Sequence, residues 1–154
     1  MSDLAPDAGD ERTVLITRVF EAPREQVFRA WVDPDQVAAW FGPAHMRAPR
    51  ERIQIDLRVG GRWELTMVRG DGGGEFSFGY EILELREPEL LVMRSDPMPE
   101  MGMDEGTIIR LELHDHGEKT RMTLSDGPLP PQGREGAEAG WTAAFEQLAT
   151  FLAD

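Results

Sequence analysis

The sequence contains no cysteine, so neither a disulfide nor a thiol nucleophile nor a thiolate metal ligand contributes to what it does. That usage suits a reducing compartment and points to the cytoplasm. No run approaches the roughly 20 consecutive apolar residues of a membrane-spanning helix, and the chain reads as soluble. Positive charge is scarce: 16 Lys and Arg stand against 29 Asp and Glu, a formal net charge of -13 at pH 7. A field of that sign repels phosphate, which argues against nucleic acid and anionic membrane as partners. Nucleophile-elbow, paired-carboxylate and dinucleotide motifs are also missing. No cofactor is implied, and catalysis has no motif behind it.

What is present is one domain's worth of chain. With 154 residues there is enough for a single core and too little for two. Residues 1–12 are acidic, contain Pro and Gly and lack an apolar signal-peptide core, so they read as a disordered tail before a single domain over 13–154. After residue 12 there is no repeat, linker or low-complexity block.

The last stretch, GREGAEAGWTAAFEQLATFLAD from Gly133, organises the rest. Trp141, Ala144, Phe145, Leu148, Phe151 and Leu152 fall at the spacing of one helical stripe. Glu138, Thr142 and Gln147 take the other face. A stripe this bulky has to be buried, and the alternating segments ahead of it supply a sheet as the partner.

In chain order, Thr13 to Phe20 reads as a strand inside the fold, apolar on both faces in its middle. Arg24 to Val32 places Val27, Phe28 and Trp31 on one helical face. Asp33-Pro34 then signals a second short helix, the carboxylate capping free N–H groups and the proline filling the first turn; it carries Val37, Trp40 and Phe41 and stops at Gly42-Pro43. From Arg50 the period becomes two, with Ile53, Ile55 and Leu57 on one strand face. Gly60-Gly61 reverses the chain, and Trp63, Leu65 and Met67 point inward on the return. Arg69 to Gly74 is a flexible hairpin loop; a phosphate cradle would need a helix after it, and a strand follows.

That strand, Glu75 to Leu85, alternates Phe76, Phe78, Tyr80 and Ile82 with polar residues. Further strands cover Leu90 to Ser95 with Met93, Thr107 to Leu113 with Ile109 and Leu111 inward, and Lys119 to Asp126 with Met122 and Leu124 inward. The outward row of Arg62, Glu64, Glu75, Glu81, Arg110, Glu112 and Arg121 mixes both signs and suits cross-strand ion pairs that need no function.

The segments TRVFEAPREQVFRAWVDPDQVAAWFGP and DLRVGGRW, with the late Gly140-Trp141, resemble the family of proteins similar to the C-terminal domain of the heat-shock-protein-ninety ATPase activator. That family belongs to the helix-grip superfamily, which includes START lipid-transfer domains and the birch-pollen allergen. The resemblance spans roughly residues 13 to 152. It implies an α+β fold: a seven-stranded antiparallel sheet wrapped round a long C-terminal helix, two short helices after the first strand, and a cavity that in the superfamily often holds an apolar ligand. It also implies a tie to the stress response. The activator itself carries a further N-terminal domain for the chaperone where this sequence shows only the acidic tail, so the resemblance speaks for fold more than for activity.

The candidate ligand-binding residues are Trp40, Phe41, Trp63, Leu65, Met67, Phe78, Tyr80, Met93, Met98, Met101, Ile109, Leu111, Met122, Trp141, Phe145 and Leu148. The Tyr80 hydroxyl is the one polar handle among them. Met98, Met101 and Met103 share a loop whose thioethers could form a lid over the cavity mouth. His114 and His116 lack the third ligand that a zinc site needs and read as an exposed turn; His45 is a lone histidine with no partner assigned. No metal is expected.

Three functions stay open. The first is a binding module for a hydrophobic or amphipathic small molecule. The second is a regulator of a chaperone ATPase or another protein partner. The third is an enzyme using cavity residues such as His45 and Tyr80 for cyclisation or hydrolysis. The chain is expected to be a monomer or a homodimer.

Overall fold

The computed structural model describes residues 12–42, 46–70, 73–99 and 105–153. The first strand, β1 (Val14–Phe20), leads into α1 (Arg24–Val32) and α2 (Pro34–Trp40). Asp33 links the two helices: its Oδ1 accepts the Asp35 N–H at 3.0 Å, and Pro34 fills the first position of α2, where an N–H would go unused. The chain then lays down β2 (Met46–Arg47), a 3₁₀ turn at Arg50–Arg52, β3 (Ile53–Ile55), β4 (Arg62–Arg69), β5 (Glu75–Arg86), β6 (Leu90–Ser95), β7 (Ile108–His116) and β8 (Lys119–Gly127). It ends in α3 (Pro131–Ala153), 23 residues long.

All pairings are antiparallel, in the order β1-β8-β7-β6-β5-β4-β2, with β3 also paired to β4. This is the α+β arrangement expected, a curled antiparallel sheet gripping the C-terminal helix, with one additional strand: the two-residue β2.

Three local readings are corrected. β1 is an edge strand paired only with β8, and its Leu15 and Val19 are 45% and 40% exposed. Its second apolar face lies on the outside of the sheet, where no layer of the described chain covers it. The strand expected from Arg50 to Arg58 shrinks to Ile53–Ile55. The Asp56 N–H bonds Arg62 O at 2.8 Å and the Arg58 N–H bonds Asp56 O at 2.9 Å, which turns Leu57 and Arg58 into the reversal. Gly61 is required there, because a Cβ would sit 2.1 Å from Asp56 O. Gln147, expected on the wet face of α3, is half-buried and donates to Gly42 O, which ties α3 to the end of α2.

The core forms where α1, α2 and the last turns of α3 meet the concave face of the sheet. Trp31, Trp40 and Trp63 are each no more than 1% exposed. The last carbonyls of a helix have no partner within it; here Trp40 Nε1 donates to Ala30 O and Trp63 Nε1 to Trp31 O, both at 2.8 Å. Two indoles therefore close the C-terminus of α1 while filling the core with aromatic area. Phe145 of α3 meets Phe20 edge-on at a centroid distance of 6.4 Å and Trp31 at 6.1 Å.

On the convex face Arg62 reaches Glu64 at 3.1 Å and Asp96 at 2.5 Å, and Arg94 reaches Glu81 at 3.5 Å. Such half-exposed pairs contribute about 0.2–1 kcal/mol each.

Candidate functional site

α3 changes character along its length. From Phe145 onward it carries Leu148, Phe151 and Leu152 toward the core, whereas its first turns carry Gly133, Gly136, Ala137 and Gly140. A Cβ added at Gly136 or Gly140 would meet nothing within 4 Å. Interior helical glycines cost about 1 kcal/mol each relative to alanine, and their consequence here is space. A cavity of about 350 Å³ lies between this half of α3 and the sheet, the lower end of the range for small-molecule sites.

Its wall draws on every layer. α3 supplies Gly136, Ala137, Gly140, Trp141 and Ala144; β4 supplies Met67; β5 supplies Phe76, Phe78 and Tyr80; Phe41 and Gly42 close one side. Met98 also lines it, and with Phe76 and Phe78 it borders an open polar groove on the outside of the sheet as well. These three residues therefore mark the rim. Exposure falls along β5 accordingly, from 37% at Phe76 to 8% at Tyr80.

Aromatic rings dominate the wall. Phe41 lies 5.9 Å from Trp141 and 6.1 Å from Phe78, and Phe78 lies 5.9 Å from Tyr80, all centroid to centroid. They leave ring faces and edges as the main contact surface for whatever enters.

Of the residues expected at the site, Phe41, Met67, Phe78, Tyr80, Met98 and Trp141 line the cavity. Trp40, Trp63, Leu65, Met93, Ile109, Leu111, Met122, Phe145 and Leu148 do not; all are buried in the core cluster. The concave face of the sheet is longer than the cavity, and the bulky end of α3 fills the remainder. Met101, Met103 and His45 lie outside the described residues. His114 is exposed, with Nε2 at 3.3 Å from Glu112 Oε1, and His116 is exposed at the end of β7. Among the described residues no group of three or more His, Cys, Asp or Glu side chains could hold a metal ion.

Several wall residues were not among those expected, and the charged one is Asp126, on β8, only 6% exposed. Its Oδ2 accepts the Trp141 indole N–H at 2.9 Å, while Oδ1 is buried without a hydrogen-bond partner. Burial pushes its carboxyl above the ordinary aspartate range, and the Trp141 indole, with the Thr107 hydroxyl nearby, opposes that shift. The Thr107 hydroxyl also contacts Ser95 Oγ at 3.4 Å, and its single hydrogen serves one acceptor at a time. No Arg, Lys or His among the described residues pairs with Asp126. Tyr80, across the same cavity, has its hydroxyl pushed well above the ordinary tyrosine range, first by burial and then by the negative charge of Asp126. It stays a neutral phenol that can donate or accept. A buried unmatched carboxyl oxygen costs about 1–3 kcal/mol, so the open end of the fold also carries an electrostatic cost. The signal was in the alternation: Met122 and Leu124 point inward, and two residues on is Asp126.

A long helix held in a curled antiparallel sheet, with a lined cavity between them, defines a helix-grip protein. Residues 21–153 match the family described as activator of Hsp90 ATPase homolog 1-like protein, and the chain belongs to that family. A protein of Chromobacterium violaceum of known structure is 25% identical, with a TM-score of 0.81 over 92% of this chain and 98% of the other. The AHSA1-like protein of Aeromonas hydrophila is 21% identical, with a TM-score of 0.78 over 92% of each chain. The AHSA1 protein of Silicibacter pomeroyi is 22% identical, with a TM-score of 0.75 over 92% of this chain and 97% of the other. At these identities the last two speak for the fold alone. No curated protein matches the chain. Among the described residues no helix is long and apolar enough to cross a membrane.

Proposed function

We propose that this protein is a binding module that holds a hydrophobic or amphipathic small molecule between α3 and the sheet. The observation that carries the reading is the cavity of about 350 Å³, kept open by glycines on α3 and walled by aromatic and methionine side chains with only a few polar groups. The ligand contacts are Phe41, Met67, Phe78, Tyr80, Met98 and Trp141, joined by Asp126. The helix-grip fold supports this in a general way, since a helix standing off a concave sheet encloses space for a guest. The protein works in the cytoplasm, as a monomer or a homodimer.

Native mass spectrometry of freshly purified protein, followed by the same sample denatured, tests the reading. An excess mass that vanishes on denaturation supports it and gives the ligand's mass and the oligomeric state in one run. Bare polypeptide mass, together with no saturable binding of a neutral apolar dye, overturns it. Regulation of a chaperone ATPase, the activity in the family's description, then becomes the reading to test by ATPase assay.

A further inference from the structure

The cavity has an asymmetry that an apolar guest alone does not account for. The carboxylates of the described ion pairs lie toward solvent, as where Glu75 faces Arg52 and Asp96 faces Arg62. Among the described residues Asp126 is the buried carboxylate, and no cation pairs with it. It is buried in the cavity wall, bonded on one oxygen to an indole N–H, and left open on the other.

We infer that the ligand carries a protonated amine on an apolar body, with the ammonium seated against Asp126 and the body against the aromatic wall. This rests on the cavity being a ligand site. Removing an ammonium group from water is unfavourable unless it finds both an opposite charge and hydrogen-bond acceptors. The Asp126 carboxylate, in the cavity wall with one oxygen unbonded, offers both. The rings of Phe41, Phe78, Tyr80 and Trp141 add faces that attract a cation through their quadrupoles. The Tyr80 hydroxyl, in the same wall, gives a second acceptor. An anionic head, such as a fatty acid carboxylate, would meet a buried acid with no cation beside it, inside a chain of net charge -13. A neutral alcohol would gain one hydrogen bond and no charge pairing. Burial of Asp126 holds its carboxyl toward the neutral form, and an incoming ammonium restores the ionised form by supplying the missing counter-charge.

The test uses a matched series on one body, 4-phenylbutylamine, 4-phenylbutanol and 4-phenylbutyrate, each displacing the neutral dye N-phenyl-1-naphthylamine from the full chain at pH 7. The expected order is amine, alcohol, carboxylate, with the amine roughly tenfold tighter than the alcohol. In Asp126→Asn, which keeps an acceptor for the Trp141 indole, that preference, read as the ratio of amine to alcohol affinity, shrinks to within about twofold. An amine no better than the alcohol in the unaltered protein overturns the inference and leaves the cavity reading standing. So does an amine preference that survives in Asp126→Asn. Absence of dye binding and of any thermal shift with all three compounds removes the cavity reading itself, and this inference with it. Because the selectivity series on the unaltered chain is decisive alone, the outcome does not depend on the variant folding.

Discussion

Beneath the last turns of α3, Trp31, Trp40 and Trp63 lie with Phe145 and Leu148 in a core that leaves almost nothing exposed. Beneath its first turns the same helix and the same sheet enclose about 350 Å³. Both regions are rich in aromatic residues, so hydrophobicity does not separate them. Two things do. At the packed end α3 sends Phe145, Leu148, Phe151 and Leu152 into the core, and the indoles of Trp40 and Trp63 donate to carbonyls that α1 leaves free, although the Trp31 N–H has no partner. At the open end Gly136, Ala137, Gly140 and Ala144 leave Trp141 as the one large α3 side chain in the wall, and the buried acid there, Asp126, keeps one oxygen unmatched. The first region is filled by its own side chains. The second is not, and that difference is what the proposed ligand site rests on.

Several substitutions should break or sharpen this contrast. The largest effect belongs to the packed end: Trp63→Ala removes a fully buried indole and strands the Trp31 carbonyl, so chemical denaturation should show a loss of about 3–5 kcal/mol. At the open end, Gly140→Leu should do the reverse, filling the cavity and lowering dye affinity roughly tenfold or more, about 1.4 kcal/mol, while the denaturation midpoint holds or rises. If Gly140→Leu instead unfolds the protein, the space is not a tolerant void and the contrast fails.

Asp126→Asn probes the same contrast through pH. The folded carboxyl titrates above its unfolded value, so as pH rises from about 4 the unfolded chain releases its proton first and stability falls until the folded group also ionises. The groups around it, Trp141 on α3, Tyr80 on β5 and Thr107 ahead of β7, are uncharged and do not reverse that sign. The variant lacks this decline. Its stability relative to the unaltered chain should therefore be greater at pH 7.5 than at pH 3, and an equal difference at both would remove the buried acid from the account. The smallest effect is expected at Gly136→Ala, a gain of about 0.5–1 kcal/mol from helix propensity alone, seen as a modest rise in midpoint.

The fold was largely legible in the sequence because its signals are periodic. The stripe from Trp141 to Leu152 and the inward series on β4, β7 and β8 state which faces meet. Where the sequence misled, pairing overrode pattern: Leu57 keeps the alternation of Ile53 and Ile55, yet the Asp56 to Arg62 bond closes the strand before it. β1 misled in another way, since apolar residues on both faces do not say whether a second layer is present.

The site was half legible. Phe41, Phe78, Tyr80 and Trp141 follow from which faces point inward, but no pattern distinguishes an inward residue at a cavity from one in a filled core. That depends on how far the helix stands off the sheet, which glycines on α3 set and periodicity does not record. Asp126 was passed over because carboxylates are rarely buried, although its place in the alternation was plain.

Gly136 and Gly140 have a consequence for how such a protein can change over generations. The residues that hold the fold together and those that shape the guest's space are largely different, and the second set sits on one exposed-to-half-buried helical wall where added atoms meet nothing. Enlarging a side chain there would reshape the cavity without disturbing the sheet or the tryptophan core. If the cavity is the ligand site proposed, single substitutions at these positions would change what fits it while leaving the architecture fixed.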